Sequence, residues 1–221
     1  MAPPRYRAVL FDLDGTLVDS YAALAEAVNH ARRSHALSDL PPASIRGLVG
    51  DGIERLLQRA FELEDPPSSV RDAFESRYDE ICCQESRILD EVETTLAELS
   101  GRRVPMAVCT NKPTGFSKKI LDFLGLSAHF RAIVGPDLAG ARKPSARHVL
   151  RTLEEARCEP AGALFVGDMP IDVEAAHNSG IAVAVVATGS ASYEELVSAR
   201  PDHVLDRFSG LLRLVGNGAA R

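Results

Sequence analysis

Five short apolar runs, Ala8–Phe11, 104–109, Ala132–Val134, 163–166 and 181–186, constrain this chain more than any other feature. Each is rich in β-branched residues and too short for a helix, so each reads as a buried strand. Amphipathic stretches at 113–124, 145–156 and 171–179 separate the later runs, and two of them stop at Gly125 and Gly180. Strands that alternate with helices build a parallel sheet, since parallel neighbours need a long crossover connection. A further short strand is expected near His203–Leu205. With 221 residues, 45% of them hydrophobic, the chain can bury one good core and still supply a smaller second unit.

That second unit is expected in the interval 17–89, which separates the first two runs and carries no strong strand signal. Apolar residues recur there at helical spacing: Leu24, Ala27, Val28 and Ala31, then Ile53, Leu56, Leu57, Ala60 and Phe61, then Val70, Ala73, Phe74 and Ile81. Aspartate and proline at 39–42 and 65–67 mark the loops between them. The expected organisation is a core of residues 1–16 and 90–221 with a small all-helical domain, residues 17–89, inserted after the first strand.

Polar residues stand at the ends of the runs. Asp12 and Asp14 follow the first, Thr110 and Asn111 the second, and Lys143 precedes Pro144 after the third; Asp168 and Asp172 follow the fourth in Gly167-Asp168-Met169-Pro170-Ile171-Asp172. Open α/β sheets hold ligands just beyond the carboxyl ends of their strands. Taken singly, each station has an ordinary explanation: Asp14-Gly15 is a turn pair, Thr110 a helix cap, Lys143 a solvated lysine. The order of the four carries the weight.

In that order they resemble the motifs of the haloacid dehalogenase-like superfamily: Asp-x-Asp-Gly-Thr, a Ser or Thr, a Lys, and Gly-Asp-x-x-x-Asp. The likeness runs from about Arg7 to about Pro201. It implies a doubly wound, Rossmann-like α/β core with the inserted segment as an α-helical cap, and it brings Asp12, Asp14, Asp168 and Asp172 to one rim. Carboxylates so gathered repel one another, which a hard cation bound through oxygen relieves; Mg²⁺ fits. On the family's pattern Asp12 is the nucleophile that forms an aspartyl-phosphate, and it also binds the metal. Asp14 is the general acid and base and lends its backbone carbonyl to the metal. Thr110, aided by the Asn111 backbone N–H, and Lys143 hold the phosphoryl group, while Asp168 is a ligand and Asp172 orients the metal site. Four carboxylates, one cation and Lys143 leave the site negative, so Asp14 is expected to take up a proton when substrate binds. The third motif departs from the commonest pattern, reading Lys143-Pro144-Ser145-Ala146 where a second proline often follows.

Within the superfamily the resemblance is greatest to phosphoglycolate phosphatases, through residues 12–20, Thr110-Asn111-Lys112-Pro113 and residues 45–57. It implies hydrolysis of a small phosphomonoester, 2-phosphoglycolate giving glycolate. A β-phosphoglucomutase-like phosphotransferase, a pyrophosphatase and a promiscuous sugar-phosphate phosphatase use the same core and remain alternatives. A non-catalytic phosphate-binding relative is expected to have lost Asp12 or Asp14. Gly50 and Gly52 either bring backbone N–H groups to the substrate or merely begin the helix at Ile53, and Arg46 or Arg55 is expected to face a substrate carboxylate. Linkers near Val18 and Ile88 are expected to let the cap close over the site.

A formal net charge of −6 argues against nucleic acid or an anionic membrane as partner, leaving a small-molecule phosphate ester. Residues 1–7 contain no apolar signal segment and no run is long enough to span a membrane, so a cytoplasmic protein is expected. Cys82, Cys83, Cys109 and Cys158 lack metal-ligand spacing and read as reduced thiols; His30, His148 and His177 are expected on solvated helix faces. A frayed tail is expected over residues 216–221.

Overall fold

The computed structural model describes residues 6–216. The first strand, β1 (Ala8–Phe11), leads through a tight turn into a two-residue strand, β2 (Val18–Asp19). Four helices follow, α1 (Tyr21–Ser34), α2 (Pro42–Arg46), α3 (Ile53–Phe61) and α4 (Ser68–Ile81), and the chain returns through β3 (Arg87–Ile88). Helix α5 (Val92–Gly101) then leads to β4 (Met106–Cys109), α6 (Thr114–Phe123), β5 (Ala132–Val134), α7 (Pro136–Ala139) and α8 (Ala146–Glu155). The remainder comprises β6 (Ala163–Gly167), α9 (Pro170–Asn178), β7 (Ala182–Val186), α10 (Tyr193–Ser198), β8 (His203–Leu205) and a 3₁₀ segment at Phe208–Arg213.

Six strands form one parallel sheet in the order β5-β4-β1-β6-β7-β8. The order reverses direction at β1, so the crevice opens at the carboxyl ends of β1, β4 and β6. Strand periodicity divides the core into two. Val9 and Phe11 face one side with Met106, Val108, Leu164 and Val166, and α5 and α6 cover them through Leu96, Leu99, Ile120 and Leu121. Ala8 and Leu10 face the other side with Phe165, Val183 and Val185, beneath Val149, Leu153 and Val173 of α8 and α9. A sheet covered on both faces needs strands apolar at every position, which is why these runs do not alternate.

Several expectations are corrected in detail. The interval 17–89 is not purely helical: Val18 pairs with Ile88 and Asp19 with Arg87 in an antiparallel ribbon, and the four helices lie between its strands. Two residues per strand leave no periodicity to read. His148 is fully buried on α8, its Nε2 3.1 Å from the Val134 carbonyl oxygen, and burial pulls its pKa down to about 4. Gly216 donates its N–H to the Tyr6 carbonyl at 2.9 Å, while the rest of the expected frayed tail, residues 217–221, and the first five residues lie outside the described residues. Among the described residues no helix is long and apolar enough to cross a membrane.

Candidate active site at the carboxyl end of the sheet

Asp12 stands at the tip of β1, where its N–H still bonds the Val166 carbonyl at 2.9 Å. Its carboxylate therefore leaves the sheet beside Asp168, which stands one residue past the end of β6. Asp172 lies in the first turn of α9, where its Oδ2 accepts the N–H groups of Asp168 (3.2 Å) and Met169 (3.1 Å). Oxygens of Asp12, Asp168 and Asp172 all fall within 4.8 Å of one another, and all three residues are buried.

One lysine holds this cluster together. Lys143 Nζ lies 2.8 Å from Asp12 Oδ1 and 2.7 Å from Asp172 Oδ1, with its side chain 1% exposed. Burial works against its charge, but Asp12 and Asp172 outweigh that and the pKa is raised. Among the carboxylates burial works the other way. Asp168 is pushed well above the usual range by desolvation and by the charges of Asp12 and Asp172. Asp172 is pushed up to about 6 by burial, with Lys143 opposing and Asp12 adding to the rise.

The donor set suits a hard cation. Thr16 Oγ1 donates to Asp168 Oδ1 at 2.7 Å, but Asp168 Oδ2 is buried without a hydrogen-bond partner. A Cβ added at Gly189 or Gly15 would collide with that same carboxylate, so the backbone is kept clear around it. An orphaned carboxylate oxygen beside two further carboxylates is a site short of positive charge.

Asp14 does not join the other three. Its carboxylate turns across the turn to Lys112 Nζ, 2.6 Å from Oδ1 and 2.5 Å from Oδ2, and accepts a hydrogen bond from Ser20 Oγ. The expected convergence of four carboxylates thus becomes three around Lys143 and one paired with a second lysine. The charge tally at the sequence level left Lys112 out.

Thr110 and Asn111 follow β4, and the Thr110 N–H bonds the Val134 carbonyl at 3.1 Å. Thr110 Oγ1 accepts the Lys112 N–H at 3.2 Å. The Asn111 side chain ties the loops together: Oδ1 accepts the Lys143 N–H at 2.8 Å, and Nδ2 reaches the carbonyls of Gly50 (3.1 Å) and Lys143 (3.3 Å).

Between this rim and the helices lies a cavity of about 40 Å³, bounded by Asp12, Asp14, Thr110 and Lys112 on one side and by Leu24, Val49, Ile53, Leu56 and Tyr78 on the other. Gly50 and Gly52 also line it. Gly50 has φ +132°, and a Cβ there would strike the Met169 sulfur; Gly52 immediately precedes α3. The glycine segment therefore both starts the helix and lies against the cavity.

Neither Arg46 nor Arg55 reaches it. Arg46 donates to the carbonyls of Thr188 (3.1 Å) and Gly189 (2.8 Å) and stacks 4.1 Å from the Tyr21 ring centre, bridging the helices to the loop after β7. Arg55 bonds Gln58 Oε1 at 2.9 Å in an outer groove. The buried face of α3 runs through Leu56, Leu57 and Ala60, which turns Arg55 outward. Sequence reasoning gave no role to Lys112 or Tyr78. Lys112 adjoins the Thr110-Asn111 station, and Tyr78 continues the Phe74 stripe of α4 one turn on.

The model of haloacid dehalogenase-like hydrolases matches residues 9–186. The chain is 37% identical over 211 residues to the phosphoglycolate phosphatase of Aquifex aeolicus, covering 96% of this chain and 97% of that one. It is 33% identical over 220 residues to that of Pectobacterium atrosepticum, covering 97% and 94%. A crystal structure of a predicted phosphoglycolate phosphatase from Haemophilus somnus matches with a TM-score of 0.87 at 30% identity, covering 95% of this chain and 98% of that one.

Proposed function

The chain belongs to the haloacid dehalogenase-like hydrolases, and on that footing we propose that it is a Mg²⁺-dependent phosphatase that hydrolyses 2-phosphoglycolate through an aspartyl-phosphate on Asp12. In this reading a carboxylate oxygen of Asp12 attacks phosphorus in line and the bond to the ester oxygen breaks. Asp14 gives the leaving oxygen its proton, then takes one from the water that attacks the phosphorus of the acyl-phosphate. Phosphate departs and Asp12 is regenerated. Thr110 donates its hydroxyl to a phosphoryl oxygen, and Lys143, 2.8 Å from Asp12 Oδ1, keeps Asp12 aimed. Asp12, Asp168 and the Asp14 carbonyl would hold Mg²⁺, with Asp172 orienting them, and the ion would supply positive charge to the phosphoryl oxygens.

One observation carries this reading: a lysine-bound cluster of three carboxylates with an orphaned Asp168 oxygen, opening on a cavity that also holds Asp14. The small cavity supports a short substrate over a sugar phosphate. Residues 17–89 then act as the cap over a core of residues 1–16 and 90–221, excluding bulk water from the acyl-phosphate.

Phosphate release from 2-phosphoglycolate, several sugar phosphates and pyrophosphate, with Mg²⁺ and with EDTA, tests it. The expected result is the highest kcat/KM on 2-phosphoglycolate and loss of turnover in EDTA. A higher kcat/KM on a sugar phosphate or pyrophosphate overturns the substrate, and turnover that survives EDTA overturns the metal.

A further inference from the structure

Lys112 takes no part in the steps above, yet its ammonium is the one cation among the described residues bounding the cavity. Its side chain is 4% exposed, lying 5.2 Å from the centre of the Tyr78 ring and bonded to both oxygens of Asp14. Lys143, the other buried lysine nearby, is already engaged by Asp12 and Asp172 on the far side of the cluster. A buried ammonium needs an anionic partner in every state it visits. Asp14 supplies that partner through at most two of the three N–H donors of Lys112, which leaves one for a second anion.

We propose that Lys112 is the specificity-determining residue for the leaving group, its ammonium binding the substrate carboxylate; this rests on the phosphatase reading above. The geometry is short-range. Asp14 must come within about 3 Å of the leaving oxygen to transfer a proton, and Lys112 Nζ lies 2.5 Å from Asp14 Oδ2. The ammonium is then within about 6 Å of that oxygen. A carboxylate one carbon beyond the ester oxygen spans the gap with a charge-assisted hydrogen bond of about 2.8 Å. Three donors on one ammonium allow Lys112 to hold this carboxylate and Asp14 together. On the opposite wall Leu24, Val49, Ile53 and Leu56 offer a charged leaving group nothing, and among the described residues lining the cavity Lys112 alone carries a positive charge.

The test compares kcat and KM for 2-phosphoglycolate and its neutral amide, 2-phosphoglycolamide, in wild type, Lys112→Met and Lys112→Arg. Wild type is expected to prefer the acid. Lys112→Met is expected to lose at least about 10-fold of that preference, chiefly through KM for the acid, as one charge-assisted contact requires. Lys112→Arg is expected to retain most of it. Both substrates are assayed on one preparation, so the folded fraction cancels; if Lys112→Met is insoluble, Lys112→Gln is read the same way. A wild type without preference for the acid overturns the phosphoglycolate reading and this inference with it. A wild type that prefers the acid, with the same preference kept in the neutral variant, overturns the inference alone.

Discussion

On the rim side of the cavity, Asp12, Asp168, Asp172 and Lys143 are almost wholly buried and bonded to one another; Asp12 and Asp168 stand just past strand ends, Asp172 in the first turn of α9, and Lys143 in a turn tied by its N–H to Asn111 Oδ1. The facing wall is mostly apolar and joins the core through scattered contacts such as Asn111 with Gly50 and Arg46 with the loop at Thr188 and Gly189. The difference teaches where chemistry and selectivity can each be changed. A phosphoryl-transfer site tolerates little displacement, so it sits on the sheet; recognition of a leaving group needs only a cation and a fitted wall, which loops and helices supply.

If that division is right, Asp12→Asn removes activity by roughly 10⁴-fold or more, since no other group in the site takes its place as nucleophile. Phosphate release and a thermal melt on the same sample check this: the variant is expected to be folded and inactive. Near-normal turnover would erase the distinction between the two walls.

A smaller loss is expected from Gly189→Ala, whose Cβ would run into the Asp168 carboxylate. Overpacking of this kind costs about 1–3 kcal/mol, and moving Asp168 is expected to lower kcat on acidic and neutral substrates alike. Gly101→Ala, where a Cβ meets nothing within 4 Å, is the control and is expected to leave both quantities unchanged. Loss of selectivity without loss of kcat in Gly189→Ala would blur the comparison.

Stability against pH probes the rim when Asp172→Asn is run beside wild type, because His148, its folded pKa pulled down to about 4, gains stability as pH rises through the same interval. The folded pKa of Asp172 is pushed up to about 6 from an ordinary 3.8, and Asp168 moves the same way. At these two sites the folded protein therefore binds more protons than the unfolded chain across this interval. The stability that these carboxyls contribute is fully present below pH 3.8 and is lost as pH rises through 6, by on the order of 3 kcal/mol for Asp172. Metal-free wild type is expected to lose stability relative to Asp172→Asn between pH 5 and pH 7.5 in denaturant melts, His148 being common to both. Added Mg²⁺ is expected to stabilise more at pH 7.5, where it does not compete with protons. A wild type whose stability changes with pH just as that of Asp172→Asn does would contradict the assignment.

The smallest effects are expected at the two arginines. Arg46→Ala loses two hydrogen bonds to carbonyls and a stacked ring, worth about 1–2 kcal/mol. Arg55→Ala loses one exposed hydrogen bond, worth less than about 0.5 kcal/mol. Since neither bounds the cavity, kcat/KM is expected to fall in parallel on 2-phosphoglycolate and an aryl phosphate. A selective loss on the acid in either variant would return leaving-group recognition to the cap arginines.

The same division explains what was legible in the chain. Asp12 and Asp168 each follow a fully apolar strand, so the burial that makes the strand also announces the polar residue at its end. Lys143 and Thr110 were legible only in company, because alone they look like surface and cap residues. Lys112 belongs to a different case: its importance comes from meeting Asp14 and Tyr78, residues 98 positions away for the first and on another element for the second. The β2–β3 ribbon was too short to leave a period, and His148 lay on a helix whose buried face the composition alone did not distinguish.

The central claim, that the buried rim performs the chemistry through Asp12, is tested most directly by trapping the phosphorylated enzyme. Wild type and Asp14→Asn are mixed with ³²P-labelled substrate and Mg²⁺, quenched in acid, and the labelled peptide is identified. Label on Asp12 is expected, in greater amount in Asp14→Asn, whose water attack is slowed more than acyl-phosphate formation with a good leaving group. Label on another residue, or turnover with no label in either protein, would contradict the account.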